Sequence, residues 1–538
     1  MKKNKYILRW IPIGLLILLA LGCIDKFDAH LSHDKDGYLA GENLWVKVTL
    51  DDSLYTENRL SEVAYVEIND TKQMHAQGKV LLQDGSGWAC IRLPHTMHSG
   101  VYQLVAYTRY MRNLDSAAFP RKHIAVLNAR MMNVEDQLVV NDSTIAIPEW
   151  NKVESKGLMT DKSQYGLRSQ VKVSWPATYA DAKELVLSVY RKDCKVSLPQ
   201  EKQEPVSLRK VESRWQPEME GHWVEGKAEG TCTSAQFSCV GKEVRVVDGL
   251  SDGHGHFTFF TRDIEGQQDI VFLAKNESGE TARIVPVSPF VELLPKELPV
   301  LQGWFDRKAM EDRNVSLQLQ QSLPVVRVVK KMDEFLYGEQ PTFSYNLDEY
   351  TRFNTIRETI IEFISGSTVG TRDGKEVVRM MLEQSQTFGS LPVLLLIDGV
   401  PFDEHSVVLD YNAHLVHYIH QYRGNYAFGK DVYGGVLSII TRQGTLPSVR
   451  ITDNMQMVSY EFPQNRPSFT MPVYADEKVR QSRMPDYRHT LYWNPCVQGR
   501  TEAEFYTSDL KGIYTVILQG VDAQGNDFLI STEMEVKE

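Results

Sequence analysis

The chain has 538 residues, of which 42% are hydrophobic and 24% charged, and its net charge is −11. That length suits about three to five domains with proper cores. The acidic balance argues against nucleic acid as a partner, which asks for a basic face, and no block of like charge is long enough for a disordered acidic tail.

Lys2, Lys3, Lys5 and Arg9 precede an apolar run over residues 11–21, which has signal-peptide length and is too short to span a bilayer. The run ends at Ala20-Leu21-Gly22-Cys23. Small residues before a cysteine resemble a bacterial lipobox, with Ala20 where leucine is usual. The resemblance implies that residues 1–22 are a lipoprotein signal peptide and that Cys23 is the acylated first residue, anchored in a membrane. The alternative is an ordinary secretory signal in which Cys23 is incidental. The other five cysteines cannot all pair with one another. Cys232 and Cys239 are close enough in sequence to close a small loop, and Cys90, in a strand-like run, reads as a small buried hydrophobe. There is no CxxC to suggest zinc or redox chemistry.

Residues 31–130 alternate with period two, and turn signals such as Asp84-Gly85 separate short strands, the pattern of a β-sandwich. The run Y-L-A-G-E-x-L-W at residues 38–45, Leu93-Pro94 and SGVYQLVAYTRYMRN at residues 99–113 resemble the macroglobulin domains of bacterial α2-macroglobulin-like proteins. The macroglobulin-like sandwich is therefore expected over 23–130, with a polar linker at 131–160. A second β-sandwich region follows at 161–215. In residues 216–300 the spacing D-x-x-G-x-F-x-F, from Asp252 to Phe259, resembles the transthyretin-like regulatory sandwich of carboxypeptidases. A connecting segment is expected over 301–340.

Residues 347–363 (LDEYTRFNTIRETIIEF) carry apolar side chains at spacings of three and four, which predicts an amphipathic helix. Two apolar β-runs follow, at 393–397 and 436–441. The first stops at Asp398-Gly399, a strong turn signal. Between the runs lie Gly424, Gly429 and Gly435, which permit close backbone approach. LLLIDGVP at 394–401, residues 419–424, residues 426–429 and GVLSIITRQG at 435–444 resemble the plug domain of TonB-dependent outer-membrane receptors. His420 and Gln421 depart from that family's usual Glu and Val. The resemblance implies a plug-like α/β domain over 341–447, with Asp398, Gly399, Gly424, Gly429 and Gly435 as its turn positions. Residues 445–538 are too few for a transport barrel, whose strands need ~9–11 residues each, so the plug-like unit is not expected to close a pore of its own chain. A C-terminal β-rich domain is expected over 448–538, where DYRHTLYWNP at 486–495 resembles a block found in large Bacteroidetes lipoproteins.

The fold class expected is thus multidomain and mainly β: tandem antiparallel sandwiches, then a small α/β plug-like domain and a C-terminal β domain. Two histidine groups invite a metal reading, His254 with His256 and His405, His414, His417 with His420, but neither shows a convincing ligand set. No G-x-S-x-G, HExxH, Walker A or G-x-G-x-x-G pattern stands in the chain, nor the Cys-Gly-Glu-Gln thioester of covalent macroglobulins. No catalytic residue, metal or cofactor is therefore assigned. The reading is a non-catalytic, lipid-anchored outer-membrane protein, facing the periplasm or the cell surface. It would be a binding or accessory component of an envelope complex, beside a TonB-dependent transporter barrel. The alternative is a macroglobulin-type protease-interacting protein without the thioester.

Overall fold

The structure, a computed structural model, describes residues 29–50, 60–128, 137–141, 155–196, 198, 214–278, 281–322, 336–382, 387–429, 431–450 and 455–538. The signal segment and Cys23 lie outside them. Among the described residues, no helix is long and apolar enough to cross a membrane. The molecule is mainly β, with several sandwiches and one α/β unit.

The first sandwich packs a sheet of Ala29–His33, Asn43–Leu50 and Ser86–Arg92 on a five-stranded sheet ordered Gly37–Leu39, Arg121–Leu127, Gly100–Thr108, Val63–Asn69, Met74–Leu81. Alternation turns Leu44, Val46 and Val48 inward, where they meet Leu104, Ile124 and Tyr65 in one core. Lys47, on the opposite face of its strand, is also buried, because a second sandwich covers that face.

That second sandwich corrects the expected domain plan. Strands from residues 159–191 and 490–536, read as parts of separate units, form one. One sheet holds Met159–Thr160, Gln170–Ser174 and Glu502–Tyr506. The other holds Gln164–Tyr165, Asp527–Val536, Gly512–Val521, Glu184–Arg191 and Thr490–Asn494. Val171, Leu187, Leu491, Phe505, Val516 and Ile530 share its core. Neither half could bury its apolar face alone.

The third sandwich lies mainly within 216–300. Its strands run in the order Ser234–Cys239, Arg245–Ser251, His256–Thr261, His222–Glu229, Thr281–Val287, Gln267–Lys275, Met455–Glu461. Ser234–Cys239 also pairs with Gln267–Lys275. Phe257 and Phe259 alternate into the core with Phe237 and Phe272, as the D-x-x-G-x-F-x-F spacing predicts. Met455–Glu461, from the far side of the α/β unit, completes this sheet. Cys232 and Cys239 stand as free thiols. The extended strand between them, at ~3.3 Å per residue, holds them too far apart to close the loop that their spacing in sequence allows.

The α/β unit has a five-stranded sheet ordered Phe343–Asn346, Val416–Tyr422, Val436–Thr441, Leu394–Ile397, Val400–Pro401. The two apolar runs pair parallel, Leu394 opposite Val436, and helix Ile356–Phe363 covers one face. That helix is shorter than the periodicity of 347–363 predicts. Thr355 caps it by accepting from the Glu358 amide at 3.3 Å, and the Glu358 side chain accepts from the Asn354 amide at 3.0 Å. These two bonds fix the start at Ile356.

Two connectors also have structure. Gln137–Asn141, inside the expected linker, pairs parallel with Gln302–Asp306, which pairs in turn with Cys194–Val196. The expected connecting segment 301–340 contains that strand and the helix Arg307–Ser322.

Candidate functional site at the domain junctions

Asp398 and Gly399 form the tight turn between Leu394–Ile397 and Val400–Pro401, both with positive φ (+44° and +78°). The Asp398 carboxylate accepts from the Thr441 amide (2.8 Å), the Thr441 hydroxyl (2.7 Å) and the Leu446 amide (2.8 Å). It therefore ties the turn to the end of the second apolar strand. Burial raises its pKa above the ordinary carboxylate value, and the three bonds hold against that rise.

The outer side of the turn lies on the third sandwich. The Gly241 amide donates to Asp398 O at 3.0 Å. A Cβ on Gly399 would stand 2.9 Å from Glu243 O and 3.1 Å from Cys239 O. Gly429, at φ +60°, faces the same region, and a Cβ there would stand 2.7 Å from Gln236 Oε1. Lys275 bridges to Asp403 at 3.0 Å. Three of the five turn positions thus converge on one junction. Gly435 is required inside the unit instead, at φ +146°, where a Cβ would meet Met380 Sδ at 2.5 Å. Gly424 departs from the expectation of close approach: its nearest neighbour is the Tyr426 ring at 3.5 Å, an ordinary contact.

The histidines do not gather. His405 is buried and its Nδ1 accepts from the Val378 amide at 2.8 Å, with burial lowering its pKa. His414 is exposed, and His417 lies 3.5 Å from Asp348 Oδ2. His254 and His256 are exposed beside a turn whose Asp252 carboxylate accepts from both their amides. Among the described residues, no three metal-ligating side chains converge.

Two further junctions escaped the sequence reading. The first joins the first and second sandwiches through the helix Arg307–Ser322. Arg313 is fully enclosed. Its guanidinium forks onto Glu42, donates to Asp193 at 3.2 Å and to Gly37 O at 2.8 Å. His489 Nε2 meets the other Asp193 oxygen at 2.6 Å, and Lys35 lies 3.2 Å from Glu42. Burial alone would raise the Glu42 pKa, yet Arg313 and Lys35 bring it down to about 2. Burial, then Arg313, press His489 down to about 4 against the pull of Asp193.

Both groups bind protons less readily folded than unfolded, so the stability they lend is complete above their ordinary pKa values and lost as pH falls. For His489 the window runs from 6.5 to about 4, and for Glu42 from 4.5 to about 2. The melting temperature is expected to drop across pH 6.5 to 4, and the drop should be shallower in His489→Gln. An equal slope in both proteins would remove His489 from the account.

The second junction joins the first and third sandwiches. Glu218 Oε1 meets His222 Nδ1 at 2.9 Å, and its other oxygen accepts from the Tyr65 hydroxyl at 2.7 Å. His222 Nε2 lies 2.8 Å from the Tyr460 hydroxyl and 3.2 Å from Lys79 Nζ. Nearby, the buried Glu67 accepts from the amides of Val291, Glu292 and Leu293 at 2.8–3.0 Å and from Asn69 at 2.9 Å. It pins the strand exit of the third sandwich onto the first.

No family model and no curated protein matches the chain. Among solved structures, the native conformation of Escherichia coli α2-macroglobulin aligns at 7% identity over 95% of this chain and 40% of its own, with a TM-score of 0.22. Salmonella α2-macroglobulin reacted with methylamine aligns at 10% identity over 95% of this chain and 23% of its own, TM-score 0.15. The E. coli adhesin FdeC aligns at 11% identity over 52% of this chain and 66% of its own, TM-score 0.15. This chain therefore spans less than two thirds of the length of each.

Proposed function

We propose that this chain is a non-catalytic, lipid-anchored component of a bacterial outer-membrane complex, working as a binding or accessory subunit beside a TonB-dependent transporter. The observation that carries this reading is the mounting of the α/β unit. Its Asp398-Gly399 edge is clamped to the third sandwich, and the chain on its far side returns to complete that sandwich. A unit held this way presents its other edge outward. That edge is the strand Phe343–Asn346, where Phe343 is 40% and Tyr350 47% exposed beside the partly buried Phe363. Exposed aromatics on an unburied strand edge suit a protein partner.

The anchor is tested by Cys23→Ala, which is expected to release the protein from the membrane fraction. A variant that stays there and still incorporates a palmitate analogue sinks the lipoprotein reading. The partner is tested by a photo-crosslinking residue at position 343, expected to capture a barrel protein that the same probe at the exposed Leu250 does not. Equal capture from both sites, or none from position 343, overturns the assigned face. Cleavage of the chain by a protease that then stays trapped would instead favour the macroglobulin-type alternative.

A further inference from the structure

A groove of about 370 Å³ opens between the first and third sandwiches. Apolar Pro286, Val287 and Phe290 and polar Gln77, Gln267 and Ser459 share its lining with Lys79, Tyr460 and Glu461. Lys79 is only 3% exposed. Its Nζ donates to Glu461 O at 2.8 Å and sits 3.8 Å above the Tyr460 ring. Behind it, His222 Nε2 lies 3.2 Å away, and Glu218 holds the other ring nitrogen.

Two basic nitrogens this close in a buried place cannot both carry a proton without heavy repulsion. Burial presses Lys79 down to about 7, against the opposing pull of Glu461 and Glu218. Burial, then Lys79 itself, press His222 down to about 4. Burial raises the Glu461 carboxyl. The remaining groups facing the pair are the Tyr460 hydroxyl, 2.8 Å from His222 Nε2, Tyr65 and, farther out, Arg109. A desolvated lysine with an oriented histidine beside it is the arrangement that activates amines toward carbonyl groups.

We propose that Lys79 is a carbonyl-capturing amine, condensing with a small aldehyde or ketone held in this groove. The unprotonated Nζ adds to the carbonyl carbon, and the C=O electron pair moves onto oxygen. His222 Nε2 takes one proton from the attacking nitrogen and passes it to the alkoxide, giving the neutral carbinolamine. It then relays the second nitrogen proton to the hydroxyl, which leaves as water as the nitrogen lone pair forms the C=N bond. The product is an imine, with amine plus carbonyl balanced by imine plus water and no change of oxidation state. Glu218 keeps the Nδ1 proton in place, so the Nε2 lone pair faces both Lys79 Nζ and the Tyr460 hydroxyl. Pro286, Val287 and Phe290 can pack the carbonyl's hydrocarbon part, while Gln77, Gln267 and Ser459 leave the rest of the groove polar. This site is separate from the partner face of the α/β unit and does not depend on it.

The test treats the full chain with butanal and sodium cyanoborohydride at pH 7 and maps the alkylated lysines by mass spectrometry. At pH 7 an amine titrating near 7 is about half unprotonated, against roughly 1 part in 2,500 for an ordinary lysine near 10.4. Lys79 is therefore expected to be alkylated at least about 10-fold faster than the exposed Lys227, with a rate that levels off above pH 7. In His222→Gln the Lys79 rate should fall while that of Lys227 stays. Alkylation of Lys227 with Lys79 untouched, or equal rates at the two, overturns the proposal and leaves Lys79 a joint between sandwiches. An undiminished Lys79 rate in His222→Gln overturns the proton-transfer role.

Discussion

Replacing Arg313 with methionine is expected to cost about 3–5 kcal/mol, the range for breaking a buried ion pair from one side. The methionine keeps most of the volume but leaves Glu42 and Asp193 facing each other's charge without the guanidinium between them. Gly37 O also loses its donor. Lys35 and His489 remain, but neither has the planar fork that serves two carboxylates and a carbonyl at once. Arg313→Lys is accordingly expected to recover less than half of the loss. The measurement is the first transition in urea, since a multidomain chain need not unfold in one step. A midpoint shift worth under 1 kcal/mol for Arg313→Met would mean that water replaces the guanidinium and that the junction is looser than it looks.

Gly399→Val is the second large effect, at about 3 kcal/mol or more. Two costs add. A β-branched residue at φ +78° is strained by roughly 1–2 kcal/mol. Its Cβ would also press on the carbonyl oxygens of Glu243 and Cys239, which are backbone and cannot swing aside. The damage should appear at the boundary between the α/β unit and the third sandwich, as raised hydrogen exchange at Gly241 and in Ser234–Cys239. Gly424→Ala and His414→Ala are the controls, each expected within about half a kcal/mol of the parent. Equal destabilisation by Gly399→Val and Gly424→Ala would show that the clamp is not where the cost lies.

Much of the architecture was legible in the sequence. Period-two alternation and turn dipeptides gave the strands, and Asp398-Gly399 announced its turn. The polar junctions were harder. Lys47, Glu67 and Lys79 sit in strands as polar residues among apolar ones, the pattern of a face turned to water. Here those faces are turned to another sandwich, and alternation does not distinguish solvent from a neighbouring domain. Glu42 lay inside a quoted motif and His489 inside another, yet nothing local joins them. The link is Arg313, on a helix whose periodicity is weak. The pairing of 184–191 with residues beyond 490 was hidden for a similar reason: strand propensity says which residues extend, not which ones meet.

The order of assembly follows from the second sandwich. Both neighbours of Glu184–Arg191 in its sheet, Thr490–Asn494 and Gly512–Val521, lie far downstream. During vectorial synthesis or export this apolar strand emerges long before either mate exists. The third sandwich and the α/β unit must form in between, like inner brackets closed before the outer pair. Throughout that interval Leu185, Val186, Leu187 and Val189 sit on a doubly unpaired edge, the state most prone to mispair with another chain. This strand is therefore the expected seed of aggregation until the last strands arrive, and truncation near the C-terminus should yield aggregates rather than a shorter soluble protein.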